Sequence, residues 1–140
     1  MKKSGILNQQ LMTAITGLGH TDSFLLCDAG FAISTGIQRI DLALTEGIPS
    51  FTDCLKAILT EVVIEEIAVA KQMEQYNPAS FTYVMNTFQN QKKLIIDQSD
   101  FLQNAKCVKF VVRSGELTPY ANILLTAASG VEQFKRGLTL

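Results

Sequence analysis

Charge is scarce in this 140-residue chain: 18% of residues are Asp, Glu, Lys or Arg, and 12 cationic against 13 acidic side chains leave a formal net charge of −1. A chain without a cationic excess is a poor prospect for nucleic-acid backbones or anionic membranes. Cysteine is limited to Cys27, Cys54 and Cys107, widely spaced and odd in number, so no complete set of internal disulfides can form. They read as reduced, buried, small apolar residues of a cytosolic protein. Histidine occurs once, as His20, and no CxxC, HxH or HExxH spacing is present. The usual zinc and iron sites therefore lack their ligands, and no metal is expected. Neither GxGxxG nor GxxxxGK[ST] occurs, which removes the glycine cradles of dinucleotide and P-loop sites. Chemistry in this chain is expected to need no cofactor. Asn8, Gln9 and Gln10 interrupt the stretch after Lys2 and Lys3, and no apolar run approaches the roughly 20 residues of a membrane span. The expectation is a soluble protein of the cytoplasm, without a membrane partner.

Against these absences, 47% of residues are hydrophobic, enough for one buried core over residues 1–140 and too little chain for a second. The mean hydropathy of +0.19 and the low charge suggest that other subunits cover part of the apolar surface. No internal repeat or low-complexity linker divides the chain.

Asn8 is placed to cap a short helix whose apolar positions are Leu11, Met12, Ile15 and Leu18, stopped by Gly17 and Gly19. Ser23 to Cys27 is a short apolar run bounded by polar and glycine residues, the pattern of a buried strand. Arg39 to Leu44 alternates and reads as extended. Ser50 with Asp53 resembles a capping box, opening a helix to about Thr60 through Leu55, Ile58 and Leu59. The β-branched Val62, Val63 and Ile64 favour a break before a strand near Glu66 to Ala70. Pro78 opens a helix with Phe81, Val84, Met85 and Phe88 as its apolar stripe. Leu94 to Ile96, Val108 to Val112 and Ala121 to Leu125 read as strands, and Ser99 to Ala105 as a short helix. Alternating helices and short apolar strands predict a single α/β domain, a mixed sheet covered by helices.

Three polar clusters interrupt the apolar pattern where strands meet loops: Gly19 to Asp22, Cys27 to Gly30, and Arg113 to Glu116 continuing into Thr118 to Asn122. His20 is the one side chain able to give and take a proton near neutral pH. It reads either as a catalytic acid or as a cation favouring a helix C-terminus. Asp22 and Asp28 stand near enough in sequence to orient it. Asp28 also reads as an Asx-turn residue, a role compatible with holding a hydroxyl. Arg113 and Glu116 read as a charge pair across a turn. Tyr120 and Asn122, two apart, share one face if a strand begins there, with Ala121 on the other. Neutral donors and acceptors beside one His and one Asp suit an uncharged polyol such as a sugar better than a phosphate. A serine hydrolase is disfavoured, because no GxSxG elbow is present and Ser114 follows an arginine.

The opening Met1 to Asn8, then Leu18-Gly19-His20-Thr21-Asp22, Cys27-Asp28-Ala29-Gly30, Arg39 to Leu44, Gly47 to Phe51, Arg113-Ser114-Gly115-Glu116 and Pro119-Tyr120-Ala121-Asn122 resemble the ribose pyranase and fucose mutarotase family in order. The resemblance runs from the start of the chain to about Leu125. It implies a cytoplasmic, cofactor-independent isomerase that interconverts the β-pyranose and β-furanose forms of D-ribose and feeds the furanose to ribokinase. It further implies His20 as proton donor, Asp28 as a sugar-binding carboxylate, and Tyr120, Ala121 and Asn122 as the sugar-binding segment. A position that is ordinarily histidine in the family aligns with Gln98, which can bond a sugar hydroxyl but cannot titrate. The segment from Ser129 to Arg136 extends past the usual family end. The family precedent implies a homo-oligomer, a decamer of two pentameric rings, with sites at subunit seams. The alternatives are mutarotation of fucose or another monosaccharide, and a non-catalytic sugar-binding protein of a ribose uptake system.

Overall fold

A computed structural model describes residues 1–130, so the extension from Val131 onward lies outside the described residues. Asn8 accepts the Leu11 N–H at 2.9 Å and opens α1 (Gln9–Thr16), which closes at Gly17. The apolar run Ser23–Cys27 is β1, and Gln38–Asp41 is β2. The capping box forms as read: Ser50 accepts the Asp53 N–H while the Asp53 carboxylate takes the Ser50 N–H, and α2 runs Phe51–Leu59. After the β-branched break come β3 (Ile64–Ala70), α3 (Lys71–Tyr76) and α4 (Pro78–Thr87). The remainder is β4 (Lys92–Ile96), α5 (Gln98–Asn104) with a 3₁₀ turn at Ala105–Cys107, β5 (Phe110–Arg113) and β6 (Ile123–Ala127).

The strands form a six-stranded mixed sheet in the order β2-β5-β1-β6-β3-β4. Strands β1, β2 and β5 run parallel, as do β3 and β4, and β6 lies antiparallel between the two groups. The carboxyl ends of the other five strands and the amino end of β6 therefore share one edge of the sheet.

Alternation along the strands divides the core in two. Phe24, Leu26, Ile40, Ile67, Val112 and Leu125 pack with helices α1 to α4, whereas Leu25, Cys27, Ala68, Val111 and Leu124 pack under α5 and the loop carrying Phe31. Burial on both faces explains why β1 is continuously apolar. Each fully buried Leu or Phe contributes about 1.5–3 kcal/mol.

Several boundaries depart from the sequence pattern for local reasons. The Arg39 to Leu44 segment leaves the ladder after Asp41, whose carboxylate takes the Ala43 N–H at 3.1 Å and turns the chain. Helix α3 begins directly after β3 at Ala70, which offers no side-chain cap, so the usual start signal is missing. Cys27 and Cys54 are buried, but Cys107 is exposed because Ala105 and Val108 take the inward positions around it. No helix among the described residues is long and apolar enough to cross a membrane.

Candidate functional site

At the carboxyl edge, Asp28 follows β1 and Asn122 precedes β6, and the antiparallel pairing of these strands brings the two residues together. The Asn122 amide is used at both ends: its Oδ1 accepts the Asp28 N–H at 2.9 Å and its Nδ2 donates to Asp28 Oδ2 at 3.0 Å. Asp28 Oδ1 also accepts the Gly30 N–H at 2.9 Å, so the predicted Asx turn is present. Burial pushes the Asp28 carboxyl above the ordinary carboxylate range, against the opposing bonds from Asn122, Gly30 and Phe31. The result is a carboxylate fixed in direction and largely removed from water.

Tyr120 does not begin a strand. Its φ of 62° is left-handed, so Tyr120 and Asn122 do not stand on one face of a regular strand. The Tyr120 ring is half-buried and stacks on Tyr76, at the end of α3, with centroids 5.5 Å apart. Ala121, the next residue, is fully buried.

Gln98 opens α5 after β4 at the same edge. Its N–H donates to Gln72 Oε1 at 3.0 Å, while its own side-chain Oε1 is buried without a hydrogen-bond partner. An orphaned acceptor of this kind is ready for a donor from outside the chain. Three strand spacings lie between β1 and β4, so Gln98 stands about 14 Å along the edge from Asp28. Asp97 caps α5 through the Ser99 N–H and pairs with Lys71 at 2.6 Å. That lysine holds the Asp97 carboxyl down to about 2.

The Arg113 to Glu116 segment braces the site. Arg113 and Glu116 do not pair. Arg113 Nη1 instead donates to both Asp41 oxygens, at 3.0 and 3.1 Å, and its Nε donates to Ala29 O at 3.0 Å. The Glu116 carbonyl accepts the Ala29 N–H and its carboxylate takes the Thr118 N–H. Both ends of the segment therefore clamp the loop after Asp28. Buried Ser114 donates to Cys27 O at 2.8 Å, and burial pushes the Cys27 thiol up to about 12. Neither side chain is set up as a nucleophile.

His20 lies elsewhere. It occupies the turn entering the amino end of β1, opposite the Asp28 edge, and the five residues of β1 separate the two loops by about 17 Å. The expectation that Asp28 orients His20 within one chain is thus overturned. Asp22 does not contact the imidazole either. It accepts the Gly19 N–H at 2.8 Å, a bond that lowers its carboxyl pKa, and it pairs with Lys109. Asp22 holds the turn while Thr21 sits at a φ of 69°. The residue that orients His20 is Glu65, near the start of β3, whose oxygens lie 3.0 and 3.2 Å from Nε2. Glu65 was invisible in the sequence because it lies 45 positions away, in a stretch that only the strand register brings to this edge. Nε2 is thus the ring nitrogen that faces Glu65, and Nδ1 lies on the other side of the imidazole.

Two open depressions, of about 640 and 350 Å³, lie on α1 and α3 respectively, and neither contains His20, Asp28, Tyr120 or Asn122. Among the described residues, no three His, Cys, Asp or Glu side chains cluster to hold a metal ion. The sheet thus carries a histidine–glutamate pair at one edge and a carboxylate with neutral hydrogen-bonding groups at the other.

The fold is that of an α/β protein with a mixed six-stranded sheet, and the chain belongs to the RbsD / FucU transport protein family, whose model matches residues 1–131. It is 42% identical over 132 residues to the D-ribose pyranase of a Thermoanaerobacter species, covering 94% of this chain and 99% of that protein. It is 41% identical over 127 residues to the D-ribose pyranase of Bacillus licheniformis, covering 91% and 97%. The structure of Bacillus subtilis RbsD complexed with D-ribose matches with a TM-score of 0.90 at 35% identity, over 94% of this chain and 100% of that one. The fucose mutarotase from Streptococcus pneumoniae, in complex with L-fucose, shares the fold with a TM-score of 0.68 at 21% identity, over 89% and 95%.

Proposed function

We propose that this chain is an isomerase that interconverts the β-pyranose and β-furanose forms of D-ribose at a site shared by two copies, supplying the furanose to ribokinase. The observation that carries the reading is the reciprocal Asp28–Asn122 pair: one fixed carboxylate among neutral donors and acceptors, in a chain over 40% identical to D-ribose pyranases. Such an edge suits hydroxyl groups better than a phosphate, because its cations Arg113 and Lys71 are already paired with Asp41 and Asp97.

Ring isomerisation needs an acid and a base. His20 protonates the pyranose ring oxygen as its bond to C1 breaks, while solvent water takes the proton of the anomeric hydroxyl, leaving the open-chain aldehyde. The 4-hydroxyl then adds to C1 and the proton movements reverse, so the product is an isomer of the substrate. Glu65 orients the imidazole through its contact with Nε2. Asp28 accepts a sugar hydroxyl, and Tyr120 and Asn122 orient the ring. Ala121 contributes backbone and close packing. The unpartnered Gln98 Oε1 accepts a further hydroxyl, a binding role without titration. Positioned acid and base groups contribute about 10²–10⁴-fold, ample for a reaction already measurable in water. No step calls on a metal or nucleotide.

One copy cannot bring His20 to Asp28, so the reaction requires a homo-oligomer in which the His20 edge of one copy meets the Asp28 edge of its neighbour. We assign that assembly as a decamer of two pentameric rings. It resides in the cytoplasm, where ribokinase consumes the product. Mutarotation of fucose and non-catalytic ribose binding are the competing functions. Saturation-transfer NMR on ribose, fucose and galactose separates all three. Transfer between ribose pyranose and furanose signals, lost in His20→Ala, is the expected result. Faster exchange of fucose or galactose anomers than of ribose ring forms indicates mutarotation, and ribose binding without exchange indicates a binding protein.

A further inference from the structure

Tyr76 lies outside every motif that pointed to the site, yet it touches Tyr120. The Tyr120 backbone is left-handed at φ 62°, a conformation that bulky L-residues hold only where neighbours enforce it. Two neighbours do so, both from the junction between α3 and α4. Asn77, 4% exposed, donates through Nδ2 to Pro119 O at 3.1 Å while its Oδ1 caps α4 at the Ser80 N–H. Tyr76, the last residue of α3, lays its ring on the Tyr120 ring at 5.5 Å and 23°. The first contact fixes the peptide entering Tyr120 and the second fixes the side chain.

We propose that Tyr76 is a positioning residue that holds Tyr120 in its sugar-binding orientation through this stack. The proposal rests on the reading of Tyr120 as a sugar-binding residue. Tyr76 is 57% exposed, so its ring is not required by the core, and the contact with Tyr120 is what gives its placement a function. The stack needs only the ring, so the Tyr76 hydroxyl is dispensable. Tyr120 contacts bound sugar in the ground state and the transition state alike, so a loosened Tyr120 weakens binding more than turnover.

The test is concentration-dependent ribose ring exchange, followed by NMR, in Tyr76→Ala, Tyr76→Phe, Tyr120→Ala and the Tyr76→Ala/Tyr120→Ala double variant, with thermal unfolding of each. Stacked aromatic pairs are strong enough to change an equilibrium by about two- to tenfold. Tyr76→Ala is expected to raise KM by about that factor with kcat within about twofold. Tyr76→Phe should restore the original KM. In the Tyr120→Ala background, Tyr76→Ala should add nothing. An unchanged KM in Tyr76→Ala, a failure of Phe to rescue, or an equal increment in the double variant overturns the proposal while leaving the role of Tyr120 intact. An unchanged KM in Tyr120→Ala overturns the sugar-binding reading of Tyr120 itself, and the positioning role falls with it.

Discussion

If His20 and Asp28 serve one site from two copies, two inactive variants should repair each other. The perturbation is to mix His20→Ala with Asp28→Asn, each inert alone, by co-expression under separate tags and purification of the mixed assemblies. The five residues of β1 hold the two loops about 17 Å apart, too far for a general acid and a hydroxyl-binding carboxylate to serve the same ring. Each site then takes His20 from one chain and Asp28 from its neighbour. In an equal, randomly assorted mixture, half the chains retain His20 and the other half retain Asp28. About one seam in four therefore carries both intact halves. Loss of a positioned acid removes about 10²–10⁴-fold of rate, so the pure His20→Ala assembly should fall below about 1% of wild type and the mixture should recover to about 25%. The assay is ribose pyranose–furanose exchange by saturation-transfer NMR on assemblies shown by mass spectrometry to contain both chains. Mixed assemblies no more active than the parent variants would refute the shared site.

Glu65→Ala removes the contact that orients the His20 ring, and the exchange rate should fall about tenfold with little change in sugar affinity, read by saturation-transfer NMR. The raised pKa of buried Asp28 means that the folded chain keeps this proton to higher pH than the unfolded chain. Stability from this group is therefore greatest in acid, falls as pH rises above the ordinary carboxylate value, and levels off once native Asp28 ionises. Asp28→Asn should abolish that decline, read as a flatter urea midpoint against pH, while losing ribose binding. Gly115→Ala would place a methyl group 2.6 Å from the backbone oxygens of Thr45 and Ile48. Both are main-chain atoms with little freedom to move, so a destabilisation of about 2 kcal/mol or more is expected in urea titrations.

Most of the scaffold was legible because its signals are local. Ser23–Cys27 is a continuous apolar run bounded by turn residues, and it is β1 to the residue. Ser50 and Asp53 sit at capping-box spacing, and they make that box. The misreadings share a different cause. Helix α3 has no capping side chain and only Met73 buried, so neither end nor periodicity announces it. The alternation through Tyr120 and Asn122 fails because left-handed backbone at Tyr120 breaks the two-residue period. Arg113 finds Asp41, 72 positions away, in preference to the nearby Glu116, because parallel pairing of β2 and β5 sets Asp41 beside it. For the candidate site, the sequence offers residue types and no distances. His20 and Asp28 are eight positions apart in sequence, and an intervening strand turns that nearness into separation. Glu65 is remote in sequence and becomes the contact of His20.

The order of the strands also bears on how the chain is made. The central strand β1 is flanked by β5 and β6, which start at Phe110 and Ile123, and β2 pairs only with β5. On a ribosome, the first 109 residues can assemble only the β3–β4 ladder, while β1 waits without a strand neighbour. Domains dominated by such distant pairings fold slowly, and transiently exposed apolar strands invite association. The nascent protein therefore carries the apolar strand β1 unpaired until β5 and β6 emerge, and that interval is when it is most open to association.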